Sequence, residues 1–362
     1  MNSSVHNAFM HRCLQLAALG KGKVAPNPLV GAVLVHENKI IGEGYHKEYG
    51  GAHAEVNCIN AVVLNKKHLI PASTLYVSLE PCAHFGKTPP CADLIIKNNI
   101  QKVVVGCRDP FHEVNGKGIE KMIAAGIEVQ SGILEKECVA INKKFFLFHT
   151  LHRPYIILKW SETADHFIAH ESSVMSRLLI SNDLTNRLVH KWRGGVMSIM
   201  VGKRTALLDD PALNTRLWPG KDPVRLVLDP DCSLPTYLKI FDGATPAIVF
   251  NYGKHSIADL KNGWKSSQVH YYQIGRDSDM PSQVIHALYQ MGIQSVLIEG
   301  GAQLLQSFIN EGLYDEAIVI RNTALTIGKG LPSPVLSNHL LMNTETINKD
   351  LIQYYKNNNV TS

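Results

Sequence analysis

Apolar and polar positions alternate along the chain in blocks that predict interleaved strands and helices. Residues 29–35 form a continuous apolar run, and residues 39–44 can pair with it across a short turn at Glu37-Asn38. Residues 53–64 carry helical periodicity, with Val56, Ile59, Asn60 and Val63 on one side. Residues 74–79 and Val103-Val104-Val105 read as strands, residues 91–97 as a short helix after Pro89-Pro90, residues 117–125 as a helix closed by Gly126, and 127–129 as a further strand. This β-β-α-β-α-β-α-β order predicts a three-layer α/β domain. Phe145-Phe146-Leu147-Phe148 reads as a docking segment, and a boundary is expected over residues 149–154. Alternation then resumes, with strands expected at 155–160, 198–201, 224–228, 247–250, 269–274, 295–298 and 316–320, and helices at 182–193, 282–291 and 302–310. The expectation is therefore two α/β domains, residues 1–149 and 150–362, with a polar tail after Leu341 that frays around Asn357-Asn358-Asn359.

Composition narrows the partners. With 45% apolar and 19% charged residues the chain can bury a core, which excludes a mainly disordered protein. A net charge of +5 suits an anionic small substrate and calls for neither nucleic acid nor membrane. No run approaches the ~18 apolar residues of a membrane span. Cys13–Leu19 is a poor secretory core, interrupted by Gln15 and followed by no small-residue cleavage site, so the cytoplasm is the expected compartment. Seven cysteines, an odd number, read as thiols or metal ligands and not as a disulfide framework.

The chemistry concentrates in the first half. His53-Ala54-Glu55 is followed by Pro81-Cys82 and then Cys91. One imidazole and two thiolates suit one catalytic Zn2+ per chain, with a fourth position left for water, whose pKa the metal lowers toward neutrality. Glu55, two residues after the histidine at a helix start, can face the metal without ligating it and shuttle protons. Cys91 at a helix N-terminus is expected to gain thiolate stability from the dipole. No fourth Cys or His at ligand spacing favours a structural zinc, and no Cys-x-x-Cys favours a thioredoxin-like site. Two rival readings fit less well: a nucleic-acid deaminase predicts aromatic platforms and a basic groove, and the first half shows no such stripe, while a zinc-stabilised binding module predicts four closed ligands, against three ligands and a glutamate in proton-shuttle position.

The set resembles the zinc nucleobase-deaminase signature, but eight residues separate the cysteines where cytidine and tRNA-adenosine deaminases generally have two. That insertion carries His84 and Lys87, and a basic loop at the site suits a substrate phosphate. Ala25-Pro26-Asn27-Pro28-Leu29-Val30-Gly31-Ala32, Gly44-Tyr45-His46, His53-Ala54-Glu55 and the run from Glu80 to Cys91 resemble the bifunctional riboflavin-biosynthesis deaminase/reductase family. Phe85 stands where many members have a second histidine. The resemblance continues through residues 153–160, 201–216 and 298–304, so a cytidine-deaminase-like domain followed by a dihydrofolate-reductase-like α/β domain is implied. It implies a small phosphorylated pyrimidine as substrate, with Asn27, His46, His84 and Lys87 contacting it in the first half and Arg193, Leu213, Arg216 and Glu299 in the second. It also implies NADPH as second cofactor, against Ser161, Thr205, Asp209 and the Gly301-Ala302-Gln303 turn, where backbone N–H groups at a helix start can hold a pyrophosphate. The implied reactions are hydrolytic deamination of 2,5-diamino-6-(5-phosphoribosylamino)pyrimidin-4(3H)-one and reduction of its ribosyl chain to the ribityl product. A homo-oligomer is compatible with all of this. His166 replaces the family's glycine after Asp165, which sets an alternative expectation: a zinc deaminase with an altered or inactive reductase-like half.

Overall fold

Two residues in the left-handed region, Glu37 (φ 46°) and Asn38 (φ 59°), fold β1 (Gly31–His36) back onto β2 (Lys39–Tyr45). Positive φ at both central positions gives the turn whose twist matches that of the flanking strands. In this computed structural model, which describes residues 3–85, 89–111, 113–171, 178–261, 263–264, 268–276 and 279–358, the chain divides into two units, Met1–His152 and Arg153–Ser362.

The first unit is a five-stranded sheet in the order β2-β1-β3-β4-β5, with β3 (Thr74–Leu79), β4 (Lys102–Cys107) and β5 (Glu128–Ser131) parallel and β1 antiparallel to both neighbours. The three central strands, β1, β3 and β4, are buried on both faces, and their period of two sorts the side chains into two cores. Ala32, Leu34, Leu75, Val77, Val103 and Val105 share a core with α2 (Ala54–Asn60), α3 (Cys91–Lys97) and α4 (Lys117–Ala124). Val33, Val35, Tyr76 and Val104 face Met10, Cys13 and Leu16 of α1 (Ser3–Ala18) and Cys138 of α5 (Glu135–Ile141). The three-layer expectation holds. One reading is corrected, the extent of the helix after His53, and two segments acquire a structure that the sequence reading did not assign. Residues 13–18 belong to α1, whose buried side packs on the sheet, and Leu19 follows it exposed. The helix starting at residue 54 stops at Asn60 and is followed by a 3-10 stretch, Leu64–Ala72. The aromatic run 145–148 lies inside a helix, α6 (Lys143–Leu151).

The second unit holds β6 (Tyr155–Thr163), β7 (Phe167–Ala169), α7 (Asp183–Arg193), β8 (Ser198–Gly202), α8 (Lys203–Asp209), β9 (Val224–Leu228), β10 (Ala247–Asn251), β11 (Val269–Gln273), α9 (Met280–Gln290), β12 (Ser295–Gly300), α10 (Ala302–Asn310), β13 (Glu316–Asn322), β14 (Leu331–Pro332), β15 (His339–Ile347) and β16 (Asp350–Asn357). Nine strands form one sheet in the order β11-β10-β9-β8-β12-β6-β13-β16-β15. It is parallel from β11 to β13, and its last two strands are an antiparallel hairpin. The chain builds outward from β6 through β8 to β11, then returns to insert β12 between β8 and β6. The tail expected to be polar and frayed is thus an ordered hairpin as far as Asn357. Its polar residues are anchors: Asn357 Nδ2 donates to the Gly312 and Tyr314 carbonyls, and Asp350 Oδ2 accepts from Asn182. Among the described residues no helix is long and apolar enough to cross a membrane.

Candidate active sites

The start of β1 and the ends of β2 and β3 share one end of the first sheet, because β1 is antiparallel to both neighbours. His53 precedes α2, Cys82 follows β3, and Cys91 opens α3. Their donor atoms converge: the His53 nitrogen and the two sulfurs lie within 4.8 Å of one another. His53 Nδ1 is 3.6 Å from Cys82 Sγ and 3.3 Å from Cys91 Sγ. A tetrahedral zinc with ordinary bond lengths sets S···N at roughly 3.6 Å, so the donor set and its spacing fit that ion. The short Gly44 allows this packing, since a Cβ there would lie 2.2 Å from the Cys58 backbone nitrogen of α2.

Electrostatics separates the two thiols. Without metal, Cys82 is drawn down to about 4, first by the hydrogen bond from the Cys91 thiol, against burial, and then by His53 and the Cys91 N–H. Cys91 is pushed up by Cys82, burial and Glu55. The expectation that the dipole favours a Cys91 thiolate is therefore corrected. The N–H at the start of α3 points to its neighbour, Cys91 N–H to Cys82 Sγ at 3.3 Å, so Cys82 receives the benefit. Glu55 is buried in the first turn of α2 and pushed up to about 7, chiefly by burial and then by Cys82, with His53 opposing. A carboxyl group titrating near neutrality suits general acid–base work.

Around this centre Asn27 Nδ2 lies 3.1 Å from His46 Nε2, and His46 Nδ1 lies 3.0 Å from the Ala52 carbonyl. That pairing puts the His46 proton on Nδ1 and leaves Nε2 to accept. The His46 ring meets His53 edge-on at 5.4 Å, and burial lowers its pKa. Asn57, which sequence reasoning missed, ties this loop down by donating to the Tyr45 and Ala52 carbonyls. His84 packs against Phe111 at 6.0 Å, and its buried Nδ1 has no partner among the described residues. Lys87 lies outside the described residues.

In the second unit β8, β12 and β6 are parallel neighbours, so their carboxyl ends open together, the place where open α/β sheets bind ligands. Ser161 near the end of β6 shares a 2.9 Å hydrogen bond with Ser181. Thr205 in α8 accepts the Gly301 N–H at 2.9 Å, so this first N–H of the glycine turn is already occupied. Ala302 and Gln303 open α10, and Asp209 closes α8. Arg193 at the end of α7 grips Glu299 at the end of β12 through two 2.7 Å bonds, and its Nη1 donates to the Asn214 carbonyl. The arginine is thus committed to a partner within the chain. Leu213 is buried and left-handed (φ 52°), while exposed Arg216 bonds the Asn214 side chain. His190, one turn before Arg193, is also buried. Burial and then Arg193 and Arg216 lower it to about 4, so it stays neutral. Its spacing from Arg193 was the one available signal for it in the sequence.

Residues 3–107 match the family model for the cytidine and deoxycytidylate deaminase zinc-binding region, and residues 154–350 match the RibD C-terminal domain. The riboflavin biosynthesis protein RibD of Aquifex aeolicus is 37% identical over 98% of this chain and 99% of its own. The chain belongs to the RibD family. The RibD protein of Escherichia coli is 32% identical, covering 86% of each chain. A Thermotoga maritima structure titled diaminohydroxyphosphoribosylaminopyrimidine deaminase/5-amino-6-(5-phosphoribosylamino)uracil reductase superposes with a TM-score of 0.84 at 33% identity, over 98% of this chain and 99% of that one. Acinetobacter baumannii RibD gives 0.86 at 30% identity, with the same coverage. The N-terminal cytidine-deaminase-like and C-terminal dihydrofolate-reductase-like folds are those of RibD proteins.

His166, where other RibD sequences were expected to have glycine, keeps the backbone conformation that glycine favours, with φ 63°. Its ring is held 3.1 Å from Glu162 Oε1, an atom that also accepts from Arg321 Nε at 2.7 Å. Asp165 accepts from the backbone of Ile327 and Gly328, so the turn is fixed on both sides.

Proposed function

We propose that this chain is a bifunctional riboflavin-biosynthesis enzyme, with both activities on one polypeptide. The first unit removes the 2-amino group of 2,5-diamino-6-(5-phosphoribosylamino)pyrimidin-4(3H)-one by hydrolysis, releasing ammonia. The second reduces the ribosyl chain of that product to the ribityl chain of 5-amino-6-(5-phosphoribitylamino)uracil, with hydride from NADPH. The observation that carries the reading is the convergence of His53, Cys82 and Cys91 beside the buried carboxyl of Glu55, on a chain whose other half matches the RibD C-terminal domain.

His53, Cys82 and Cys91 would hold zinc. When bound there, zinc supplies a Lewis acid that makes water acidic enough to attack at neutral pH. Glu55 accepts the proton from the attacking water and delivers it to the departing nitrogen. The Asn27–His46 pair and the His84 Nδ1 offer polar atoms for orienting the pyrimidine, and Lys87 is the candidate for its phosphate. In the second unit the strand ends carrying Ser161, Thr205 and Gly301 suit a dinucleotide, with Asp209, Ala302 and Gln303 beside it. Leu213, Arg216 and the Arg193–Glu299 pair are the candidates for the substrate side. The retained backbone at His166 favours a working reductase over the altered-reductase alternative. Glu55→Gln tests the first half: it keeps size but cannot shuttle a proton, so ammonia release should slow by on the order of 10²–10⁴-fold with zinc retained. Near-normal release would remove Glu55 from the reaction. Wild-type protein that releases ammonia but never oxidises NADPH on the supplied deaminated product would refute the reductase half.

A further inference from the structure

Glu80 directly follows β3, the strand that delivers Cys82, and the proposed function gives its carboxylate no task. It is buried, with 4% of its surface exposed. Four backbone N–H groups donate to it: those of Asp109 (3.2 Å) and Gly116 (3.0 Å) to Oε2, and those of Gly118 (3.0 Å) and Ile119 (3.3 Å) to Oε1. Its own N–H donates to the carbonyl of Cys107, the last residue of β4, at 3.0 Å. One side chain therefore gathers the segment after β4 and the start of α4 around the end of β3. The segment closes tightly over the next residue: a Cβ on Gly118 would lie 1.9 Å from the Pro81 carbonyl oxygen. Beyond Pro81, Cys82 is fixed by α3 through the Ala92 N–H to its carbonyl and the Cys91 N–H to its sulfur. The turn 80–82 is held upstream by Glu80 and downstream by α3.

We infer that Glu80 is a positioning residue for the metal centre: its carboxylate clamps residues 109 and 116–119 onto the end of β3 and thereby sets where the Cys82 sulfur lies. The inference rests on the zinc reading of His53, Cys82 and Cys91. A carboxylate can satisfy two N–H donors at each oxygen, whereas a carboxamide turns its NH2 toward one pair of them and leaves both opposed. Glu80→Gln should accordingly open the clamp without altering charge at the metal ligands themselves.

The test uses the full-length zinc-loaded protein. In Glu80→Gln, amide exchange at Gly116, Gly118 and Ile119 should speed up, and zinc release to a chromogenic chelator should quicken about 10–100-fold, the range seen when groups that orient metal ligands are lost. With cobalt in place of zinc, the thiolate-to-metal absorption should shift. Faster exchange with unchanged zinc release and an unchanged cobalt spectrum would overturn the inference, leaving Glu80 a purely structural anchor; unchanged exchange would overturn it as well. Should Glu80→Gln not fold, Gly118→Ala presses on the Pro81 carbonyl with Glu80 intact and must also quicken zinc release; unchanged release would overturn the inference. The zinc reading fails separately, through wild-type protein that takes up no zinc or Cys82→Ser protein that retains it all.

Discussion

Truncating Glu299 should destabilise the second unit more than any exposed charge change. Burial opposes ionisation of Glu299, yet Arg193, and after it Lys159, holds its carboxyl below the usual range. The pair is bidentate at 2.7 Å, and the two side chains are 13% and 8% exposed. Glu299→Ala leaves the guanidinium buried with the Asn214 carbonyl as its one remaining hydrogen-bond partner among the described residues and Asp222 as the remaining nearby opposite charge. Removing one member of a buried pair costs about 3–5 kcal/mol, because the remaining charge keeps its desolvation penalty. For a unit of this size, Arg153–Ser362, 1 kcal/mol moves the midpoint by roughly 2–4 °C, so the loss corresponds to about 6–20 °C. Calorimetry of wild type and Glu299→Ala measures it directly. The mechanism makes a second demand: Arg193→Met combined with Glu299→Leu should recover most of the loss, since two apolar side chains leave no unpaired charge. A loss below about 1 kcal/mol, or a double variant as unstable as the two single losses added, would refute the reasoning. At temperatures where Glu299→Ala is folded, NADPH oxidation should fall while ammonia release continues, because no proposed deaminase residue lies beyond Cys91. A parallel fall in ammonia release would show that the two activities are not separable.

Metal analysis of Cys82→Ser and of Cys91→Ser should show marked zinc loss from a one-per-chain site, and full occupancy in both would sink the ligand assignment. Buried Asp109 is pushed up to about 7, chiefly by burial, with Glu80 and Cys82 adding and the Phe111 N–H opposing. Its folded value exceeds the unfolded one, so its contribution to stability is complete below about pH 4 and is lost as pH rises through 7. Asp109→Asn keeps the acceptor for Phe111 but does not titrate; in metal-free protein its stability relative to wild type should rise by a few kcal/mol between pH 4 and pH 8 in urea titrations, and a pH-independent difference would contradict this. His166→Gly relieves a left-handed residue but loses the bond to Glu162, so stability should stay within about 1 kcal/mol and NADPH oxidation should persist. A tenfold loss of oxidation would show that the imidazole, and not the left-handed backbone alone, serves the reduction.

Much of the first unit was legible because its signals are local. The apolar runs are strands buried on both faces, and the metal donors are rare residue types at fixed places: before a helix, after a strand, at a helix start. The second unit conceals more. β15 is exposed along nearly its whole length, so no alternation marks it; it exists because β16 pairs with it, and β16 is fixed by the buried polar residues Asp350 and Asn357, which in sequence look like solvent-facing residues. The N-terminal helix was hidden for the opposite reason, since its apolar stretch reads equally as a core face. Sequence also gave no sign that Arg193 and Glu299, separated by more than a hundred positions, spend their charges on each other.

The two units reach the same arrangement from different strand orders. In the first, antiparallel β1 brings its own start to the ends of β2 and β3; in the second, late insertion of β12 between β8 and β6 brings three parallel strand ends together. In both, the backbone leaving a strand must turn at once, and the groups that hold the turn are polar: buried Glu80 in one unit, half-buried Thr205 on the Gly301 N–H in the other. A buried polar group at such a turn is stable only when its partners are fixed, and fixed partners are what orient a metal ligand or a cofactor. The residues that bear the chemistry are therefore legible as types, whereas those that aim them become visible only once the chain is folded.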